Sequence, residues 1–172
     1  MDKLPDEFLG VAEEVVKRFL ALPENPKSEN TGCYIYVANR EDLRPLLLIQ
    51  VGICDLESAN RSFMRVQEKV NRTLHAKHIS SWGSRDVVSG KEGGAIVVPS
   101  NARAIDPGGD GCAIGVDGFS EEGNEAIALI IALRFELISW NNVGRIIAIS
   151  GNTLFKPLVR ACADMIGGSV KA

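Results

Sequence analysis

The stretch that decides the fold covers residues 93–137 and contains two short apolar segments followed by a long apolar helix. The segments read Gly-Gly-Ala-Ile-Val-Val (93–98) and Gly-Cys-Ala-Ile-Gly-Val-Asp-Gly (111–118), and the cluster Pro-Gly-Gly-Asp (107–110) lies between them. Short apolar runs bounded by glycine are typical of strands, and a cluster of proline, glycine and aspartate is typical of a turn. We therefore predict a hairpin that leads directly into a helix.

The predicted helix covers about 120–139, and every residue over 126–133 is apolar. Ser120 is a good N-cap residue, and Glu121 and Glu122 place negative charge where the helix dipole favours it. A helix that is apolar on all sides is buried on more than one side. We expect the sheet to cover one side, and either other elements of this chain or a second copy of the protein to cover the other.

The rest of the chain adds elements on both sides of this unit. An amphipathic helix, a hairpin and a second helix with a narrow apolar stripe precede it, and a long polar loop joins them to it. A short strand and a last helix, together 145–167, follow it. The predicted segments are helix 4–22, strands 33–37 and 45–51, helix 56–76, loop 79–94, strand 145–150 and a helix with its stripe at 154–166. The order predicts one α+β domain over 1–172, with a largely antiparallel sheet of about five strands and helices on its faces.

Composition excludes several classes of function. The chain has 172 residues and a net charge of −3, which argues against a nucleic-acid partner. It has no apolar run of about 18 residues, so we predict no membrane span. The acidic N-terminus has no apolar signal core, and the four cysteines form no Cys-x-x-Cys pair. We therefore expect buried free thiols in a cytoplasmic protein.

Four cations lie on one face of the second helix. Arg61, Arg65, Lys69 and Arg72 are separated by four, four and three residues. One interpretation is a solvated stripe, and the other is a cationic wall that faces an acidic ligand or partner. The second interpretation makes Lys69 and Arg72 candidate ligand-binding residues.

Five further residues are candidates for a ligand site. His75 and His78 share a face if the helix continues through both, and either could then bind a metal; otherwise a histidine there only satisfies the last carbonyls of the helix. Asp117 either caps the turn into the next helix or holds a donor group of a ligand. The pair Gly93 and Gly94 either allows the backbone to approach a flat ligand or adopt positive φ, or forms a simple turn.

Several of these motifs together resemble the GlcG/HbpS-like family, which includes the C-terminal domain of PduO-type proteins. The resemblance covers about 45–137. It rests on the helix residues around Lys69, the glycine pair at 93–94, the segment 112–118, and the acids that open the following helix. Two positions differ from the family pattern, because Cys112 replaces a glycine and Asp117 replaces a serine.

The resemblance implies a profilin-like fold, self-association, and in several members binding of haem or a corrinoid-related ligand. A small-molecule binding domain with haem or a related tetrapyrrole as its candidate ligand is therefore our first prediction. In it, arginine or lysine would bind the carboxylates of the ligand and His75 or His78 would approach the metal. The alternative is a non-catalytic scaffold that forms a homo-oligomer through the helix around 126–137. Catalysis by Asp117 or a thiol stays open.

Overall fold

The fold is α+β, as the sequence predicts. The computed structural model describes residues 4–25, 30–99 and 111–167. No helix in these three ranges is both long enough and apolar enough to cross a membrane. In chain order the elements are α1 (Leu4–Leu20), β1 (Cys33–Asn39), β2 (Pro45–Val51), α2 (Leu56–His75), β3 (Ala95–Pro99), β4 (Gly111–Asp117), α3 (Glu121–Arg134), α4 (Trp140–Ser150) and α5 (Phe155–Ala161), with a 3₁₀ turn at Ser81–Ser84.

The strands form an antiparallel sheet in the order β2-β1-β4-β3. Both predicted hairpins are confirmed, because β1 pairs with β2 and β3 pairs with β4. Within the described ranges the sheet has four strands, where the sequence predicts about five. The predicted turn at 107–110 lies outside the described residues.

The predicted strand at 145–150 is wrong, because this segment is the second half of helix α4. Ser139 caps the helix by accepting a hydrogen bond from the N–H of Asn142, and Gly151 ends it in the left-handed conformation at φ 66°. These two signals are the usual start and stop of a helix. The isoleucine-rich run at 145–150 suggested a strand, but Val143 and Ile146 are buried at helical spacing.

The two faces of the sheet pack against different helices. Side chains alternate along a strand, so Ile35 and Val116 face α1 and α3, whereas Tyr36 and Ala113 face α2. The first face carries the larger apolar core, and α5 extends it beyond α3. The second face, under α2, is where the charged side chains of the candidate site meet.

Helix α3 is buried on all sides within one chain. Ser120 caps it as predicted, by accepting from the N–H of Gly123 at 3.2 Å, and the helix ends at Arg134 rather than near 139. Every residue over 126–133 is buried, because β3 and β4 cover one side while α1 and α5 cover the other. Of the two expected alternatives, other elements of the chain or a second copy, the structure shows the first. Self-association itself remains a prediction.

The four cysteines are free thiols. Cys33, Cys112 and Cys162 are buried, and Cys54 is half-buried. Burial raises the pKa of the Cys162 thiol to about 11 and that of the Cys33 thiol further. A thiol with a raised pKa holds its proton near neutral pH and is a poor nucleophile, so these two residues pack as small apolar side chains.

Candidate functional site

A buried ion pair joins α2 to the end of β4. Lys69 lies on the side of α2 that packs on the sheet, beside Val66 and Val70, and it is only 1% exposed. Asp117 is the last residue of β4 and points to the same side as Ala113, because side chains alternate along the strand. The Lys69 ammonium donates a hydrogen bond to Asp117 Oδ1. Two residues that the sequence predicted separately are thus brought together.

The turn between β4 and α3 is closed by Asn124 rather than by Asp117. The Asn124 side chain accepts from the N–H of Phe119 at 3.1 Å and donates to the carbonyl of the same residue at 3.0 Å. The interpretation of Asp117 as a turn cap is therefore wrong. Its carboxylate is committed to Lys69 instead.

Gly94 packs tightly against α3 beside the lysine ammonium. Its φ is +108°, a conformation that other residues rarely adopt, so this part of the glycine-pair prediction is confirmed. A Cβ atom at this position would lie 2.7 Å from Asn124 Cβ and 3.5 Å from Lys69 Nζ. It would therefore overlap Asn124 in α3, whereas its distance to the buried ammonium is an ordinary van der Waals contact.

A small polar cleft opens beside the ion pair. Its volume is about 150 Å³. Glu92 stands at its rim, where its two carboxylate oxygens lie 3.3 Å from Arg65 Nη1 and 3.6 Å from Lys69 Nζ. Asp117 forms part of its wall, so the cleft has direct access to the partners of Lys69. The lining residues are Asn30, Ser58, Arg61, Ser62, Arg65, Glu92, Asp117, Gly118 and Phe119.

The predicted cationic face of α2 is neutralised by carboxylates along its whole length. Arg61 pairs with Glu57 at 2.8 Å, and Arg72 pairs with Glu68 at 2.7 Å. Arg65 and Lys69 pair with Glu92 and Asp117 as described. The face is therefore neither a bare cationic wall nor a simple solvated stripe, since Lys69 is buried.

Arg72 ties α2 to the loop that follows it. Its guanidinium donates to the carbonyls of Ser81, Ser84 and Glu92 at 3.2, 2.7 and 2.7 Å, and to Ser84 Oγ at 2.7 Å. With the pair to Glu68, these bonds use the hydrogen-bonding capacity of a guanidinium fully. The structure therefore places Arg72 in a structural clamp beside the cleft.

His75 and His78 do not share a helix face. Helix α2 ends at His75, and Lys77 reverses the chain with a φ of +55°. Both histidines are exposed, and the ring of His78 packs against Gly83, where a Cβ would lie 2.8 Å from Nδ1. Among the described residues, no group of three or more His, Cys, Asp and Glu side chains could hold a metal ion.

Gly93 approaches a flat group, but that group is the indole of Trp82. A Cβ on Gly93 would lie 2.6 Å from Trp82 Nε1. The guanidinium of Arg85 lies over the same indole at 4.6 Å and forms two hydrogen bonds of 2.7 Å with Glu121. Burial alone would raise the pKa of Glu121, but the bonds from Arg85 and from the N–H of Gly93 outweigh it and hold that pKa below its ordinary value.

Sequence reasoning missed a buried carboxylate on the other face of the sheet. Glu125 in α3 is fully buried and accepts hydrogen bonds from Ser80 at 2.9 Å, Ser150 at 2.5 Å and Asn152 at 3.2 Å. Burial raises the pKa of Glu125, and although these donors lower it, the net shift is upward. A signal was present, because an acid that opens a helix with no exposed side cannot reach water.

Two larger clefts lie away from this ion pair. One of about 600 Å³ lies between the end of α3, the start of α4 and the residues after α5, and its lining is mixed polar and apolar. The other, of about 330 Å³, lies beside Trp82, Arg85 and Glu121. In the second, Glu121 pairs with Arg85 and Glu122 accepts hydrogen bonds from Thr153, and the first has only Arg134 and Glu136 as charged lining residues. The small polar cleft is the candidate site because two of its lining residues, Asp117 and Glu92, are the carboxylates that face the buried Lys69.

No protein family, curated protein or solved structure matches this chain at a significant level. The resemblance to the GlcG/HbpS-like family therefore stays a prediction from the motifs.

Proposed function

We propose that this chain is a small-molecule binding domain whose ligand occupies the polar cleft between α2 and the end of β4. The observation that carries the proposal is the buried Lys69–Asp117 pair, whose carboxylate forms part of the cleft wall. Burying an ion pair costs desolvation free energy that packing alone does not recover, so a fold has little structural reason to keep one. Charged groups held at the wall of a cleft are well suited to orient a polar ligand.

The size of the cleft favours a ligand of a few heavy atoms over a tetrapyrrole. Its volume of about 150 Å³ is below the range of roughly 300–1,000 Å³ that is usual for pockets of drug-sized ligands. Arg72, which we expected to meet haem propionates, is committed to the 81–92 loop. Haem or corrinoid binding is therefore the less favoured form of the proposal.

We also propose that the fold is profilin-like and that the chain is a GlcG/HbpS-like protein of the cytoplasm. The profilin-like fold is supported by the order of elements through α3, which is helix, hairpin, helix, hairpin, helix. The cytoplasmic location is supported by the free thiols, since a reducing compartment keeps cysteines unpaired.

Chemical-shift mapping tests the binding proposal. A panel of small acids, amides, amines and inorganic phosphate is titrated into the ¹⁵N-labelled protein, and amide shifts are followed. We expect saturable shifts that cluster at Ser62, Asp117 and Phe119. Haemin, followed by its Soret band, is the comparison for a tetrapyrrole. If no member of the panel changes the chemical shifts of these amides, the proposal is wrong.

Self-association is a second candidate function, and a patch beside the edge strand β2 favours it. Ile53, Leu56 and Met64 are 78%, 80% and 66% exposed, and Phe63 and Leu48 are each more than a third exposed. An edge strand beside exposed apolar side chains is a common place for a second copy to add. Light scattering tests it: we expect a dimer that Met64→Lys dissociates, and a monomer at micromolar concentration would reject it.

A further inference from the structure

We propose that the ligand of the polar cleft carries a carboxylate, and that this carboxylate replaces the side chain of Glu92 against Lys69 and Arg65. This inference rests on the proposed function and names the chemical class of its ligand. It assigns three roles: Lys69 and Arg65 bind the ligand, and Glu92 holds the same position when no ligand is bound.

Lys69 has fewer acceptors than donors. An ammonium group has three N–H donors. In the described part of the chain, Lys69 donates to Asp117 Oδ1, and its next carboxylate oxygen, on Glu92, is at 3.6 Å, beyond hydrogen-bonding distance. A donor group that is only 1% exposed cannot turn to bulk water. Lys69 does not itself line the cleft, but Glu92 does, so an anion that takes the place of the Glu92 carboxylate can reach the unused donors.

Glu92 already shows the binding mode that we propose for a carboxylate ligand. Its carboxylate bridges the two cations, with Oε1 toward Arg65 and Oε2 toward Lys69. The distances of 3.3 and 3.6 Å are longer than the roughly 2.7–2.9 Å of a good charge-assisted bond. Because Glu92 is fixed to the backbone, its carboxylate does not reach the preferred distance from the two cations. The carboxylate of a free ligand can approach them to that distance.

The charges of the cluster balance while Glu92 is in place. Its cations are Arg65 and Lys69 and its anions are Asp117 and Glu92, whereas Arg61 in the cleft wall is paired with Glu57. The Glu92 side chain is 30% exposed, so it can turn outward into water without burying its charge. When it leaves, the cluster gains one net positive charge, and a monocarboxylate restores the balance.

An NMR titration compares acetate with acetamide, its uncharged isostere, on the natural chain and on three variants. Arg65→Gln removes one of the two cations. Glu92→Gln weakens the hold of the internal carboxylate. Arg145→Gln, an exposed arginine on α4, is the matched control. Thermal unfolding of each variant is recorded first, and Arg65 and Glu92 are exposed enough for their variants to fold.

We expect acetate to bind at least about tenfold more tightly than acetamide, because only acetate gains charge-assisted bonds. Arg65→Gln should weaken acetate binding by a similar factor. Glu92→Gln should strengthen acetate binding, and Arg145→Gln should leave it unchanged. If acetamide binds as tightly as acetate, or if Glu92→Gln binds acetate more weakly than the natural chain does, the inference is overturned. The proposal of a small-molecule site would still stand in either case. If neither probe, nor any other member of the panel above, moves the cleft amides, the proposed function is rejected as well.

Discussion

Two charged side chains are buried on opposite faces of the sheet, and their charges are satisfied in different ways. Lys69, under α2, has a carboxylate partner in Asp117. Glu125, in α3, has the hydroxyls of Ser80 and Ser150 and the amide of Asn152. Substitution of Lys69 leaves a carboxylate without its ion-pair partner, whereas Glu125 is a buried carboxyl among neutral donors. The two residues therefore call for different tests.

Replacing Lys69 by methionine should destabilise the protein strongly. The change leaves the Asp117 carboxylate buried without its partner, which typically costs about 3–5 kcal/mol in the free energy of unfolding. The double variant Lys69→Met, Asp117→Val removes both charges and should recover most of that loss. Urea unfolding measures both. A double variant as unstable as the single one would show that the pair itself does not set the cost.

Replacing Glu125 by glutamine should change how stability depends on pH. The pKa of Glu125 is higher in the folded protein than in the unfolded chain, mainly because of burial. The folded state therefore binds the proton more tightly, and the natural chain loses stability as pH rises through the window between the two pKa values. At a pH below the pKa of Glu125 in the unfolded chain, near 4.5, this loss of stability is absent. At a pH above its pKa in the folded protein, the loss is complete.

Glu125→Gln should lack this loss, so its stability relative to the natural chain should improve as pH rises from about 4.5 through the raised pKa of the folded protein. Thermal unfolding across that range measures the difference. Glu13→Gln, at an exposed position on α1, is the control and should show no such trend. A difference between Glu125→Gln and the natural chain that is constant with pH would contradict the pKa direction.

At the scale of elements, periodicity predicted most helices and strands but not α4. The stripes of α1 and α2 and both hairpins are confirmed because long, strongly periodic segments determine their own structure. The run at 145–150 is short and rich in isoleucine, which favours a strand locally. Burial of Val143 and Ile146 against the core overrides that preference. The caps Ser139 and Gly151 were visible in the sequence and were the better guide.

Replacing each of three helical glycines by alanine tests the packing of individual helices. Gly10 in α1 and Gly144 in α4 have open space around them, so alanine should stabilise each helix by about 0.5–1 kcal/mol. Gly123 in α3 differs, because a Cβ there would lie 2.5 Å from Phe19 Cζ. Gly123→Ala should therefore destabilise the protein, by about 1–3 kcal/mol. Urea unfolding compares the three, and a loss of stability in Gly144→Ala would argue against a helix at 140–150.

At the scale of the whole molecule, the sequence could name the residues of the site but not their partners. Lys69 and Asp117 are 48 positions apart, and their meeting depends on which strands are neighbours and in which register. A shift of β4 by one residue would turn Asp117 to the other face of the sheet. Glu92 reaches the site only through the course of the 79–94 loop, which has no periodicity to predict it. The cleft is therefore a property of the assembled fold.

The most direct test of the account is the side-chain ammonium signal of Lys69 in ¹⁵N-lysine NMR spectra, recorded during a titration with acetate. A buried, hydrogen-bonded ammonium exchanges slowly with water, so we expect a resolved Lys69 signal that Lys69→Met removes. We also expect acetate to shift it and acetamide to leave it in place. A Lys69 signal that exchanges like those of exposed lysines, or that ignores acetate at saturating concentration, would contradict the account.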